Sequence, residues 1–152
     1  MKDRIARPVS APSARQRGFG MIEILVALVI FAFGMLGLAG LQTRSLAFSQ
    51  TSLYRSQAAA LTDDILDRMR ADRTNAKAGS WNTALGTASS SISGTAIYQA
   101  DLRDWKQTVE QLLPSGAAEV DVAAGLVTIT VQWDEIRVGG NSAQQFVTKS
   151  KL

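Results

Sequence analysis

Neither cysteine nor histidine occurs among the 152 residues. Their joint absence removes disulfide staples, zinc sites of the usual Cys and His type, Cys-His dyads and Ser-His-Asp triads. No Gly-rich phosphate loop and no convincing pair of carboxylates takes their place, so the chain is not expected to be an enzyme and no cofactor or metal is expected. Proline is nearly as scarce. Two of the three prolines, Pro8 and Pro12, stand near the start, and none interrupts Phe19 to Asp72.

Basic residues are short outside one segment. Lys2, Arg4, Arg7, Arg15 and Arg17 precede Phe19 with Asp3 as the single acid there, leaving 11 bases against 12 acids from Phe19 onward. A chain with that balance lacks the broad positive surface that nucleic-acid binding requires. The early bases belong to membrane topology instead.

What is present is an apolar run. Ile24 to Leu41 comprises 18 residues without a charge, a proline or an amide. As a helix it spans about 27 Å, close to the hydrocarbon thickness of a bilayer. Bases on its N-terminal side place that end in the cytoplasm, and Arg44 and Arg55 beyond it do not reverse the bias. A secretory signal peptide cut near Gly37-Leu38-Ala39 fits less well. Its apolar core would be shorter and would not carry an acid such as Glu23 at its head.

The remainder reads as one head on a long rod. Beyond the apolar run, Leu46, Leu53 and Ala60 at heptad spacing, then Leu61, Ile65 and Met69, predict an amphipathic continuation of the same helix. Asp63, Asp64 and Asp67 read as a solvated face, with Asp64–Arg68 and Asp67–Arg70 as ion pairs along the helix. Ala71 to Ala100, rich in Gly, Ser, Thr and Asn, predicts a long irregular loop anchored by Trp81. Asp101 is the expected N-cap of a helix carrying Leu102, Trp105, Val109, Leu112 and Leu113 and ending at Pro114 and Gly116. Ala118, Val120 and Val122, then Val127, Ile129, Val131 and Trp133, alternate with polar residues around Ala124-Gly125, which predicts an antiparallel hairpin. A weaker third strand is expected over Gln144 to Lys149, connected through Gly139, Gly140 and Asn141. Asp134, Glu135 and Asn141 supply oxygen atoms near the hairpin end without the spacing of an EF-hand. Trp81, Trp105 and Trp133 are expected in the core. The fold class is therefore α+β, divided into 1–18, 19–42, 43–72 and 73–152 as leader, membrane half-helix, amphipathic half-helix and head.

Arg15-Gln-Arg-Gly18-Phe19-Gly20-Met21-Ile22-Glu23, followed at once by the apolar run, resembles the processing site of type IV prepilins. In that family a membrane peptidase cuts after the Gly, here Gly18, and methylates the new terminal amine, here on Phe19. Gly20 and Met21 depart from the Thr or Ser and Leu more usual there. The carboxylate at the fifth position of the mature chain is Glu23. A carboxylate in a membrane helix costs about 2.5 to 3.5 kcal/mol on insertion scales, so it calls for a partner. The resemblance supplies one, the terminal amine of a neighbouring subunit, and the pair sets axial register. Gly34, Gly37 and Gly40 have weak helix propensity, roughly 1 kcal/mol below Ala each. They are candidates for the loosening that this helix is thought to undergo on assembly.

The ending Gly34 to Gln42, the Asp67-Arg68-Met69-Arg70-Ala71 close of the helix, the Trp105 helix ending in Leu113-Pro114 and the Val131-Gln132-Trp133 strand are similar to PilV-type minor pilins, the type IV pilus modification proteins. That resemblance implies a pilin-like fold and a place in a complex that primes pilus assembly and sits at the filament tip, a position that also suits adhesion. The partners it implies are other minor pilins, the major pilin, the prepilin peptidase and the inner-membrane assembly platform. The location it implies is the inner membrane with a periplasmic head, then the pilus at the cell surface. Two other readings stay open at this level: a pseudopilin of a type II secretion system, which shares the leader, cut, carboxylate and rod, and a single-pass membrane protein with a periplasmic sensor head.

Overall fold

The computed structural model describes Gly18 and Gly20–Leu152. The expected leader up to Arg17, and Phe19, lie outside the described residues. Helix α1 runs from Met21 to Ala71, a short α2 from Arg73 to Lys77 and α3 from Ile97 to Leu112. Strands β1 (Ala117–Ala123), β2 (Leu126–Trp133) and β3 (Gln144–Lys151) form one antiparallel sheet in the order β1-β2-β3. The architecture is α+β and pilin-like: a long N-terminal apolar helix, its later part packed on a small three-stranded sheet. The chain divides at Leu41/Gln42 into two compact units, each described by itself below.

In the first unit the helix from Met21 to Leu41 is exposed throughout, and it is long and apolar enough to cross a membrane. Every large side chain from Ile24 to Leu41 is exposed, with nothing among the described residues to cover it. Such a surface requires lipid or other protein around it.

The second unit has a core. Ala58, Leu61, Ile65, Leu66 and Met69 of α1 join Leu102, Trp105 and Val109 of α3 and the inward residues Ala118, Val120, Val127, Ile129, Val131 and Trp133 of the sheet. Trp81 is also fully buried, as are Trp105 and Trp133. The Trp105 indole N–H donates to the Leu61 carbonyl at 2.8 Å, joining α3 to α1. A polar tie runs parallel to it: the Arg68 guanidinium meets Asp64 on its own helix at 3.0 Å and Asp104 and Asp101 of α3 at 3.3 and 3.4 Å. Arg70 pairs with Asp67 at 2.8 Å.

The structure corrects the expected stripe on α1. Leu46 and Leu53 are 70% and 48% exposed, and Ala60 is exposed too. At about 100° per residue they stand roughly 120° around the helix from Ala58 and Ile65. Tyr54 packs against the core in their place. Heptad spacing alone therefore selected an apolar line on the wrong side, because Ala58 and Thr62, small residues of weak hydropathic signal, mark the buried one.

A second correction concerns α3. It begins at Ile97, four residues before Asp101, so Asp101 is not its N-cap. The Gln99 side chain accepts the Ala96 N–H at 3.3 Å and steadies the helix start. Ile97 is exposed and gave no amphipathic signal, while Asp101 turns to Arg68.

The expected hairpin is present, Val122 facing Val127 and Ala118 facing Val131. Ala124 and Gly125 both have positive φ (51° and 77°), the backbone that a two-residue hairpin turn needs. β3 extends two residues past the expected end, to Lys151. The segment expected as an irregular loop holds α2, a turn of 3-10 helix at Ser89–Ser91 and one bridge, Thr83 to Val120. Two side chains of α3 fix it. The Lys106 ammonium, 1% exposed, donates to the Ala84 carbonyl at 2.9 Å and to the Thr83 hydroxyl at 3.2 Å. The Glu110 carboxylate accepts the Ser89 N–H at 2.7 Å and its hydroxyl at 2.6 Å.

Burial pushes the Lys106 pKa down to about 8, against partial opposition from Glu110 and Glu119. Between that value and the free-lysine value of 10.5 the unfolded chain holds a proton that the folded chain has released, so folding gains stability as pH rises through this window. The unfolding midpoint of the native chain should accordingly gain on that of Lys106→Met between pH 8 and 10.5. A flat difference in a thermal-denaturation series across that window would contradict the assignment.

Candidate functional site: the N-terminal segment

Gly18 and Gly20 are not helical, and α1 starts at Met21. The Glu23 and Ile24 N–H groups donate to the Gly20 carbonyl at 3.0 and 3.4 Å, so Gly20 closes the first turn. A peptidase requires an extended strand of substrate, and the Gly18–Phe19 bond precedes the helix. Two glycines around Phe19 keep helix propensity low at that point.

Glu23 occupies the first turn of α1 and is exposed. A carboxylate there faces the N–H groups that lack acceptors at a helix start and lies at the positive end of the helix dipole. Among the described residues its side chain has neither a hydrogen bond nor an ion pair.

Residues 13–39 match the family model described as the prokaryotic N-terminal methylation motif. This end of the chain is prepilin-like. The motif covers Gly18, Phe19 and Glu23 and most of the apolar run, and together with the fold it supports a type IV pilin or pseudopilin type of protein that is anchored in a membrane, carries a soluble head, is processed by the prepilin peptidase and assembles with other pilins. No curated protein and no solved structure matches the chain.

Of the three glycines expected to loosen the helix, Gly34 and Gly37 fall within the matched residues and Gly40 just past them. The helix is unbroken through Gly34, Gly37 and Gly40, and a Cβ added at any of them would meet nothing within 4 Å. Packing within this chain therefore does not require glycine at these positions. Their cost in helix propensity is retained without a return inside the monomer.

Sequence reasoning missed Lys106 and Glu110, the pair that anchors the segment before α3. A signal existed: Lys106 falls four residues after Leu102 and three before Val109, within the apolar face. It also missed the surroundings of Glu135. That carboxylate is buried, accepts the Trp133 indole N–H at 2.8 Å and packs where a Cβ on Gly140 would collide with it. Asp134 accepts the Ile136 N–H at 2.7 Å. Both acids thus serve to shape the loop after β2.

Two outcomes follow for this segment. Coexpression with a prepilin peptidase should shorten the chain by residues 1–18 and add one methyl group, read by intact-mass spectrometry, and Gly18→Val should leave the full mass. Replacing Gly34, Gly37 and Gly40 together by Ala should stabilise α1 by about 1 kcal/mol per site and slow amide hydrogen exchange there by roughly fivefold. Unchanged exchange would show that the glycines do not soften the helix.

Proposed function

We propose that this chain is a minor pilin of a type IV pilus, of the PilV type, acting in a priming complex at the inner membrane and at the filament tip. The observation that carries this reading is the Glu23 carboxylate, without a partner among the described residues, at the head of an apolar helix and four residues after the amine that cleavage at Gly18–Phe19 would free. Insertion scales put the cost of such a carboxylate at about 2.5 to 3.5 kcal/mol, and a positive amine on the adjoining subunit offsets it. Because the two groups sit at fixed positions on each rod, their pairing selects one axial offset between neighbours.

The exposed apolar faces support the same reading. From Ile24 to Leu41 the helix is apolar all round, which suits lipid first and a bundle of similar helices afterwards. Leu46 and Leu53 extend an apolar line beyond that run, on the side of α1 that its own head leaves open. The chain's role is to be cut, methylated and packed; the chemistry is done on it, and its own head supplies contacts to other minor pilins, to the major pilin and to a surface at the tip.

The test is Glu23→Ala in the native background. The variant should be cleaved normally while its incorporation into sheared pili, and the number of pili per cell, fall at least about tenfold, the factor given by about 1.4 kcal/mol of lost pairing. Normal piliation together with a loss of protein secretion would assign the chain to a type II secretion pseudopilus. Normal levels of both would remove the register role from Glu23.

A further inference from the structure

The second compact unit contains a cleft that has no part in the assembly reading. Tyr54 of α1, the Pro114–Ser115 turn after α3, and Asp134, Glu135, Arg137 and Val138 after β2 line a cavity of about 230 Å³. Its walls are fixed to one another. The Asp134 N–H donates to the Pro114 carbonyl at 2.8 Å, the Glu135 N–H to the Asn141 carbonyl at 2.8 Å and the Gly140 N–H to the Glu135 carbonyl at 2.9 Å. The opening is therefore built into the head.

Glu135 is the unusual member of the lining, because it is an acid only 4% exposed. Its Oε1 accepts the Trp133 indole N–H at 2.8 Å, and among the described residues neither a donor nor a cation meets its Oε2. A carboxylate so placed has lost most of its hydration, and one indole N–H returns little of it. The polar side-chain atoms sealed without a partner among the described residues are Gln57 Oε1 and Trp81 Nε1. Glu135 Oε2 thus keeps a path to solvent, and the cleft is the opening that Glu135 lines. Asp134 adds a second carboxylate, of which Oδ1 accepts the Ile136 N–H at 2.7 Å. Arg137 is the one base of the lining, is exposed, and forms no ion pair among the described residues. Two carboxylates against one guanidinium leave the lining with one negative charge in excess.

A single positive charge neutralises such a lining. Calcium takes about six to eight oxygen ligands, and no group of three acids exists among the described residues to supply them. The cavity is also smaller than the roughly 300 to 1,000 Å³ of sites for drug-sized ligands. Tyr54, Pro114 and Val138 offer an apolar wall with one aromatic ring, which suits an alkyl stem and attracts the cation it carries. We propose that this cleft binds a primary alkyl ammonium group, held by Glu135 and Asp134, with its stem against Tyr54, Pro114 and Val138. Two sources carry that group: a lysine side chain of a neighbouring protein and a free alkyl amine. Either one brings Glu135 the counter-charge that the described chain withholds. The inference is independent of whether the chain serves a pilus or a secretion pseudopilus.

The test uses the full chain in detergent micelles, labelled with nitrogen-15 and titrated at about pH 7 with n-butylamine, which is protonated there. The neutral analogue 1-butanol and calcium chloride are titrated in parallel. The Trp133 indole N–H, identified by its loss in Trp133→Phe, reports on the cleft because it bonds to Glu135. Butylammonium should shift that resonance and the Ile136 amide saturably, and 1-butanol should not. Glu135→Gln keeps an oxygen for the indole and should weaken binding at least about tenfold, and Asp134→Asn about threefold, with the amide spectrum of β1 to β3 unchanged. A capped alanine-lysine-alanine peptide separates the two sources. Binding as tight as that of butylammonium assigns the cleft to a lysine of another protein, weaker binding assigns it to a free amine, and both results support the ammonium site. Equal shifts with 1-butanol, an affinity untouched by Glu135→Gln in a folded head, or a tighter response to calcium than to butylammonium would overturn the proposal.

Discussion

One charged group in the wrong solvent governs this molecule. The Glu23 carboxylate stands in the first turn of α1, at the head of an 18-residue uncharged run whose side chains are exposed among the described residues. Hydrocarbon accepts the run and penalises the acid. A partner with a positive charge on a similar rod, as proposed above for the neighbouring subunit's terminal amine, would reconcile the two demands. The soluble head then needs only to fold at the end of that rod and present surfaces.

How the head folds follows from fastening one helix to two different things. Trp105 and Arg68 tie α3 to α1, one through an indole bond to a backbone carbonyl and the other through three aspartates. The inward faces of β1 and β2 complete the core. Lys106 and Glu110 use the opposite resource of α3, its ability to reach a segment with little apolar content of its own, and satisfy the backbone groups of that segment at Ala84 and Ser89. Burying the ammonium costs free energy, and its depressed pKa is the sign of that cost.

The sequence was legible where a pattern had one physical meaning. An unbroken apolar run, an acid at its head, and a glycine-phenylalanine pair after a basic leader each answer a separate need, and the methylation motif over residues 13–39 coincides with them. Strict alternation at Val127, Ile129, Val131 and Trp133 placed β2, and Ala124-Gly125 placed its turn. Legibility failed where the deciding contact was tertiary. Leu46, Leu53 and Ala60 look like a seam, yet the smaller Ala58 and Thr62 face the core, because a helix against a crowded sheet buries small residues as readily as large ones. Asp101 looks like a cap but is a ligand of Arg68. The loop around Glu135 was unreadable because its acids are spent on Trp133 and Ile136, partners that only the folded chain brings near.

The two margins of the sheet are unlike each other. Thr83 and Asn82 bond to β1 at Val120 and Val122 and cover part of that side, while among the described residues no strand lies beyond β3, which carries the exposed Lys149 and Lys151. A ribbon with such an open border can be lengthened there, and two such borders approaching one another bring ammonium groups together with no counter-charge between them. Crowded at a membrane surface while awaiting assembly, these heads repel through a side by which they would otherwise fuse into a continuous sheet.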